Sequence, residues 1–140
     1  MKVKFKKLHP DAKYPRKAHT TDAGFDLSAL TVKYDDKNKI QTVGTGLAIE
    51  IPKNFAGLIF PRSSIYRTQS VLSNSVGLID HGYTGEIIFK FYSGNEEEMY
   101  EVGDRIGQLL IIPYPQIELE EVNELSESER GTGGYGSTGK

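Results

Sequence analysis

Short β-rich runs separated by turn-forming clusters recur along the whole chain, and this spacing constrains the fold more than any other feature. The runs are Lys2–Leu8, Leu30–Tyr34, Ile40–Ile51, Phe55–Phe60, Ile87–Tyr92 and Ile106–Ile112. Between them lie Asp35-Asp36-Lys37-Asn38, Pro52-Lys53-Asn54, Ser93-Gly94-Asn95 and Val102-Gly103-Asp104. Helical periodicity is nearly absent, so the pattern predicts an all-β sandwich or barrel. One short helix is expected after Arg62, with Ser63 or Ser64 as N-cap and Ile65-Tyr66-Arg67 following. Glu124–Glu129 is expected to form a single turn.

The chain of 140 residues, 37% of them hydrophobic, suffices for one core that buries roughly two-thirds of the unfolded surface. No apolar run is long enough for a membrane span, and Met1 to Pro10 lack a signal-peptide pattern, so no membrane partner and a cytoplasmic site are expected. The nucleus is the alternative for a eukaryotic or viral chain. Having no cysteine excludes disulfides and thiolate metal sites. A net charge of −2 gives no broad attraction to nucleic acid. Lys2, Lys4 and Lys6 alternate with Val3 and Phe5, which reads as the solvated face of a strand. Glu118, Glu120, Glu121, Glu124, Glu127 and Glu129 crowd the other end, and the chain past Pro115 reads as an arm leaving a compact body.

Four internal segments concentrate chemistry. Val76–Ile87 reads as a β-hairpin with its tip at His81 and Gly82. Asp80 there either caps the turn, with Tyr83 packed on the sheet, or takes a proton from water beside a planar ligand held by the hairpin backbone. Pro61-Arg62-Ser63-Ser64 joins a guanidinium, two hydroxyls and a helix start, which suits an anion as well as it suits ordinary capping. Just before Ala23–Leu27, Asp22 reads as a turn residue, and within the segment Asp26 is either a satisfied structural carboxylate or holds Mg²⁺ through its water shell. In Gly103–Leu109, Asp104 and Arg105 are expected to form an ion pair, and Gln108 to donate to a phosphate. His9, His19 and His81 lack metal-ligand spacing and read as solvated or locally bonded.

The chain ends in Arg130-Gly131-Thr132-Gly133-Gly134-Tyr135-Gly136-Ser137-Thr138-Gly139. No apolar anchor accompanies these residues, so alone they read as a flexible Gly-rich terminus. Their amides, guanidinium and hydroxyls are also the groups that wrap a polyphosphate, with a ring to cover a base.

Together the five segments Ala23–Leu27, Pro61–Ser64, Gly77–Glu86, Gly103–Gln108 and Arg130–Gly139 resemble, in order, the five motifs of the trimeric deoxyuridine triphosphatases. The resemblance implies a β jelly roll, of the β-clip type, over residues 1–115. It implies that residues 116–140 form an arm of the same domain, bearing an active-site lid. Implied too are a homotrimer with shared sites, and hydrolysis of dUTP to dUMP and pyrophosphate with Mg²⁺ carried by the triphosphate.

Residue by residue, Asp80 resembles the general base and Tyr83 the ring beneath the deoxyribose. Asn74 matches a uracil contact, alongside main-chain groups of Gly77–Tyr83, Gly77 and Ile79 among them. Arg62, Ser63, Ser64 and Gln108 match phosphate contacts, and Asp26 the acidic residue near the metal's water shell. Arg130, Ser137 and Thr138, with Gly136 between ring and hydroxyls, resemble the γ-phosphate grip, while Tyr135 stands where a phenylalanine usually stacks on uracil. Ser64, Ile65-Tyr66 and His81-Gly82 also depart from the common pattern. Two alternatives accompany this reading. One is dCTP deaminase, including its bifunctional members, although Lys90 stands where those use a glutamate. The other is a regulatory protein that keeps the fold and acts by binding a partner.

Overall fold

The computed structural model describes residues 1–93 and 99–134. Among the described residues lie ten strands: β1 Lys4–Lys7, β2 Phe25–Ser28, β3 Thr31–Asp35, β4 Ile40–Gly44, β5 Leu47–Glu50, β6 Phe55–Pro61, β7 Ser70–Leu72, β8 Gly77–Ile79, β9 Ile88–Ser93 and β10 Arg105–Pro113. They form two four-stranded sheets, ordered β2-β10-β6-β8 and β3-β4-β9-β7, with β1 and β5 pairing as a two-stranded ribbon. Every ladder is antiparallel. The expected all-β jelly-roll sandwich is the observed architecture.

Alternation explains why these segments became strands. On β9, Phe89, Phe91 and Ser93 point inward while Ile88, Lys90 and Tyr92 face out. Leu27, Val43, Leu47, Ile51, Ile106 and Leu109 close on the two phenylalanines to make the core. Phe89 needs room at Gly107, where a Cβ would overlap its ring and lie 2.8 Å from the Phe60 carbonyl oxygen. Among the described residues Gln41, Thr45, Ser70 and Ser93 are the buried polar ones, and Gln41 is the largest. Gln41 is fully buried, and its amide donates to the Tyr100 carbonyl at 2.7 Å while accepting from the Tyr100 N–H at 3.2 Å. Both ends of the amide are therefore satisfied, as a buried polar group requires.

The run Ile40–Ile51 breaks into two strands because the chain passes through Gly46 at φ +66°, where Leu30 and Ala12 leave no space for a side chain. Val76–Ile87 is not a hairpin either. β8 pairs with β6 in one sheet, while β9 pairs with β4 and β7 in the other, so residues 80–87 cross between sheets. The expected helix is a 3₁₀ helix, Ser63–Arg67, whose N-cap is Arg62 rather than a serine and carries no side-chain cap bond. No helical turn occurs over Glu124–Glu129. The turns come later, where Gly131 N–H donates to the Ser128 carbonyl and Gly133 N–H to that of Arg130.

Candidate functional site

The segment after β8 carries the most exposed chemistry. Its turn is closed by main chain, Tyr83 N–H donating to the Asp80 carbonyl at 3.2 Å, with Gly82 at φ +95° reversing the chain. The Asp80 carboxylate therefore does not cap the turn. It stands at a groove of about 220 Å³ lined by Asn74, Gly77, Ile79, Asp80, Tyr83 and Glu86, among others. Asn74 lies against Gly77, where a Cβ would be 3.3 Å from the amide nitrogen and would overlap Ile59. Glycine there brings bare backbone to the groove wall. Tyr83 is half-exposed, and its hydroxyl donates to the Glu86 carbonyl at 2.9 Å. The Glu86 carboxylate in turn accepts from Gly46 N–H at 2.7 Å, tying the segment to the body.

A second groove, about 300 Å³, holds Asp22, Gly24, Asp26, Arg62 and Gln108. The ladder explains this grouping. Asp26 on β2 faces Gln108 on β10, Gln108 faces Phe60 on β6, and Arg62 follows β6 directly. Asp26 is nearly buried between two guanidiniums, accepting from Arg62 Nε at 3.2 Å and from Arg105 Nη1 at 3.0 Å. Arg105 thus pairs with Asp26, not with its neighbour Asp104, whose carboxylate accepts Glu101 N–H at 2.8 Å to close a turn. Adjacent strand residues point to opposite faces, so Asp104 and Arg105 are poorly placed to meet. Ser64 Oγ lies 3.4 Å from Arg62 Nη1, and Ser63 is exposed at the start of the 3₁₀ helix. Asp22 is the expected turn residue, accepting His19 N–H at 2.8 Å.

The two grooves do not merge. Ile79 pairs with Gly57, so Asp80 comes beside Ala56, six residues before Arg62 and on the order of 20 Å from it along the strand at about 3.3 Å per residue. A single protomer thus holds its exposed carboxylate and its guanidinium pair at opposite ends of β6. Among the described residues no group of three His, Asp or Glu side chains is placed to hold a metal. Arg130 is exposed, its Nε donating to the Gly133 carbonyl at 2.9 Å. Tyr135, Gly136, Ser137 and Thr138 lie outside the described residues.

Sequence reasoning missed two members of these sites. Arg105 departs from the expected pairing with Asp104 because its partner, Asp26, lies 79 residues away. His81 was read as solvated or locally bonded, whereas its Nδ1 sits 2.7 Å from the carbonyl oxygen of Ile51, thirty residues away.

Residues 10–139 match the family model described as dUTPase. The chain is 43% identical to the deoxyuridine 5′-triphosphate nucleotidohydrolase of Clostridium tetani, over 99% of this chain and 97% of that protein. It is 40% identical to the enzyme of that name from Gloeothece citriformis, over 99% and 97% respectively. Among solved structures, the dUTPase of Staphylococcus bacteriophage 80alpha with dUPNHPP superposes at a TM-score of 0.84 with 29% identity, covering 99% of both chains.

Proposed function

This chain belongs to the dUTPase family, and from that membership we infer how its two grooves divide the hydrolysis of dUTP to dUMP and pyrophosphate. The observation that carries the reading is the free Asp80 carboxylate, left unused by a turn that closes through main chain. Asp80 takes a proton from the attacking water. The new P–O bond forms at the α-phosphorus, the bond to the α,β-bridging oxygen breaks, and pyrophosphate leaves. Phosphoryl transfer of this kind asks the protein for positioning and charge neutralisation rather than a covalent nucleophile.

The Asp80 groove takes the nucleoside. Asn74 and the backbone of Gly77 and Ile79 contact uracil, and Tyr83 lies beneath the deoxyribose, leaving no space for a 2′-hydroxyl. Fixed donors and acceptors there reject cytosine, because its reversed pattern would strand buried polar groups. The Asp26 groove takes phosphates through Arg62, Ser63, Ser64 and Gln108.

One dUTP cannot span both grooves of one protomer across the length of β6, so the two halves of a working site come from different copies. A homotrimer supplies them, with the arm of a third copy closing the site. Ile117, Leu119 and Leu125 project from that arm into solvent in the single chain, as expected of a segment that packs on another copy. Arg130, Tyr135, Gly136, Ser137 and Thr138 form its lid, the ring on uracil and the polar groups on the γ-phosphate.

Mg²⁺ fits this protein as an ion carried by the triphosphate. The described residues offer it no cage, and both oxygens of Asp26 already accept from arginine, keeping one lone pair each for a metal-bound water. When bound, the ion neutralises charge on the phosphate oxygens. The dCTP deaminase reading is not favoured: the position in question is Lys90, exposed on β9 opposite Thr42. The enzyme lowers dUTP, limiting uracil incorporation into DNA, and supplies dUMP for thymidylate synthesis, with the cytoplasm as its proposed compartment. No helix is long and apolar enough to cross a membrane among the described residues.

Incubation with Mg²⁺ and dUTP, dCTP, dTTP or UTP separately, with products resolved by chromatography, tests the activity. Conversion of dUTP alone to its monophosphate is expected. Deamination of dCTP, or no turnover at all, overturns the reading.

A further inference from the structure

We propose that His81 is the positioning residue of Asp80, fixing the turn that carries the base by tying it to the end of β5. This rests on the assignment of Asp80 as the base. Residues 81–87 run beside β5, and the far end of this segment is held redundantly. Ile87 N–H donates to the Leu47 carbonyl at 2.8 Å, Thr45 Oγ1 donates to the Ile87 carbonyl at 2.7 Å, and Gly46 N–H donates to the Glu86 carboxylate. At the Asp80 end the β8–β6 ladder holds the chain only up to Ile79. No hydrogen bond or ion pair reaches the Asp80 carboxylate among the described residues, and the bond from Tyr83 N–H stays within the turn. Past Ile79, where the β8–β6 ladder ends, the tie from this end to the body among the described residues is His81 Nδ1 to the Ile51 carbonyl at 2.7 Å.

The chemistry of that tie fixes its sense. A carbonyl oxygen only accepts, so Nδ1 carries the proton and donates. Protonation of Nε2 leaves the tie intact. Misplacement of a catalytic group by about 1 Å costs up to 10²-fold in rate, so a single hydrogen bond that sets the turn is worth a measurable share of kcat.

The test compares His81→Ala, His81→Phe and His81→Asn. Asparagine places an N–H at the topological position of Nδ1, phenylalanine keeps the ring without a donor, and alanine keeps neither. We measure kcat and KM for dUTP, and the affinity for the non-hydrolysable α,β-imido analogue. His81→Ala and His81→Phe are expected to lose about tenfold in kcat, with KM and analogue affinity within about twofold, and His81→Asn to recover to within about threefold of wild type. Unchanged kcat in folded His81→Phe, or no recovery in folded His81→Asn, overturns the proposal. A rise in KM alone also overturns it, since that marks a substrate contact. Should His81→Ala fail to fold, the Phe and Asn pair carries the comparison. A slowly exchanging Nδ1–H of His81 by ¹⁵N NMR reads the tie without turnover, and its absence overturns the proposal. A wild-type protein that leaves dUTP intact sinks instead the assignment of the activity.

Discussion

The ring of Tyr83 lies over Gly85: a Cβ built on Gly85 would stand 2.5 Å from the Tyr83 hydroxyl oxygen and 2.6 Å from Cζ. With the hydroxyl also bonded to the Glu86 carbonyl, the ring has one seat, and glycine provides it. Gly85→Ala is therefore expected to lift the ring and break that bond. Discrimination between dUTP and UTP, read as the ratio of kcat/KM values, should fall by about tenfold or more, as in Tyr83→Ala. Unchanged discrimination in both variants would remove Tyr83 from sugar selection.

Asp26 holds two arginines that face different surroundings. Asp26→Asn leaves both guanidiniums against a neutral amide and is expected to destabilise the protein by about 1–3 kcal/mol, less than a fully buried pair because both arginines reach solvent. Arg62→Ala should raise KM for dUTP by about tenfold or more, since it removes a charged phosphate contact. Arg105→Ala acts only through Asp26, and its rise in KM should be several times smaller. Equal effects of the two would place Arg105 on the phosphates directly. Steady-state kinetics alongside urea denaturation separates these cases.

Asp80→Asn keeps the shape of the turn, because that turn closes through the Tyr83 N–H and the Asp80 carbonyl. Turnover is expected to drop by about 10²- to 10⁴-fold, the usual worth of a general base. Affinity for the non-hydrolysable analogue should stay within a few-fold by calorimetry. Parallel loss of affinity would make Asp80 a binding group.

The same residues show what the sequence makes readable. β6 and β10 are legible because seven and nine residues form long, mostly apolar runs bounded by turn residues. β7 is three residues long, too short for any period, and went unseen. The apolar runs flanking Asp80 were read as partners because they are adjacent, yet β8 and β9 pair in different sheets, and local pattern says nothing of which sheet a strand joins. Asp26 was open between satisfied and metal-facing. Its two arginines come from 36 and 79 residues away, and only the fold brings them to one carboxylate. The proposed division of the site across copies rests on resemblance, since the separation of the two grooves along β6 is set by strand register that local pattern does not carry.

Tyr100 supplies a prediction in which the sign with pH is fixed by burial. Among the described residues its hydroxyl is buried without a hydrogen-bond partner; the nearby Thr68 hydroxyl has committed its proton to the Ile65 carbonyl at 2.8 Å. Burial pushes the phenol above its ordinary value of 10.0, more than Thr68 and the Arg62 guanidinium pull it down. Below about pH 10 both folded and unfolded chains keep this proton, and the group has no pH-dependent effect. Above it the unfolded chain releases the proton while the folded chain retains it, so stability falls with rising pH until the folded value is passed. Tyr100→Phe removes both the stranded hydroxyl and this linkage. It is expected to be neutral or stabilising by up to about 1–3 kcal/mol at pH 7.5, with the advantage growing at pH 10.5. Urea denaturation at the two pH values measures the difference. A loss above about 1 kcal/mol at neutral pH would mean that the hydroxyl has a hydrogen-bond partner in solution.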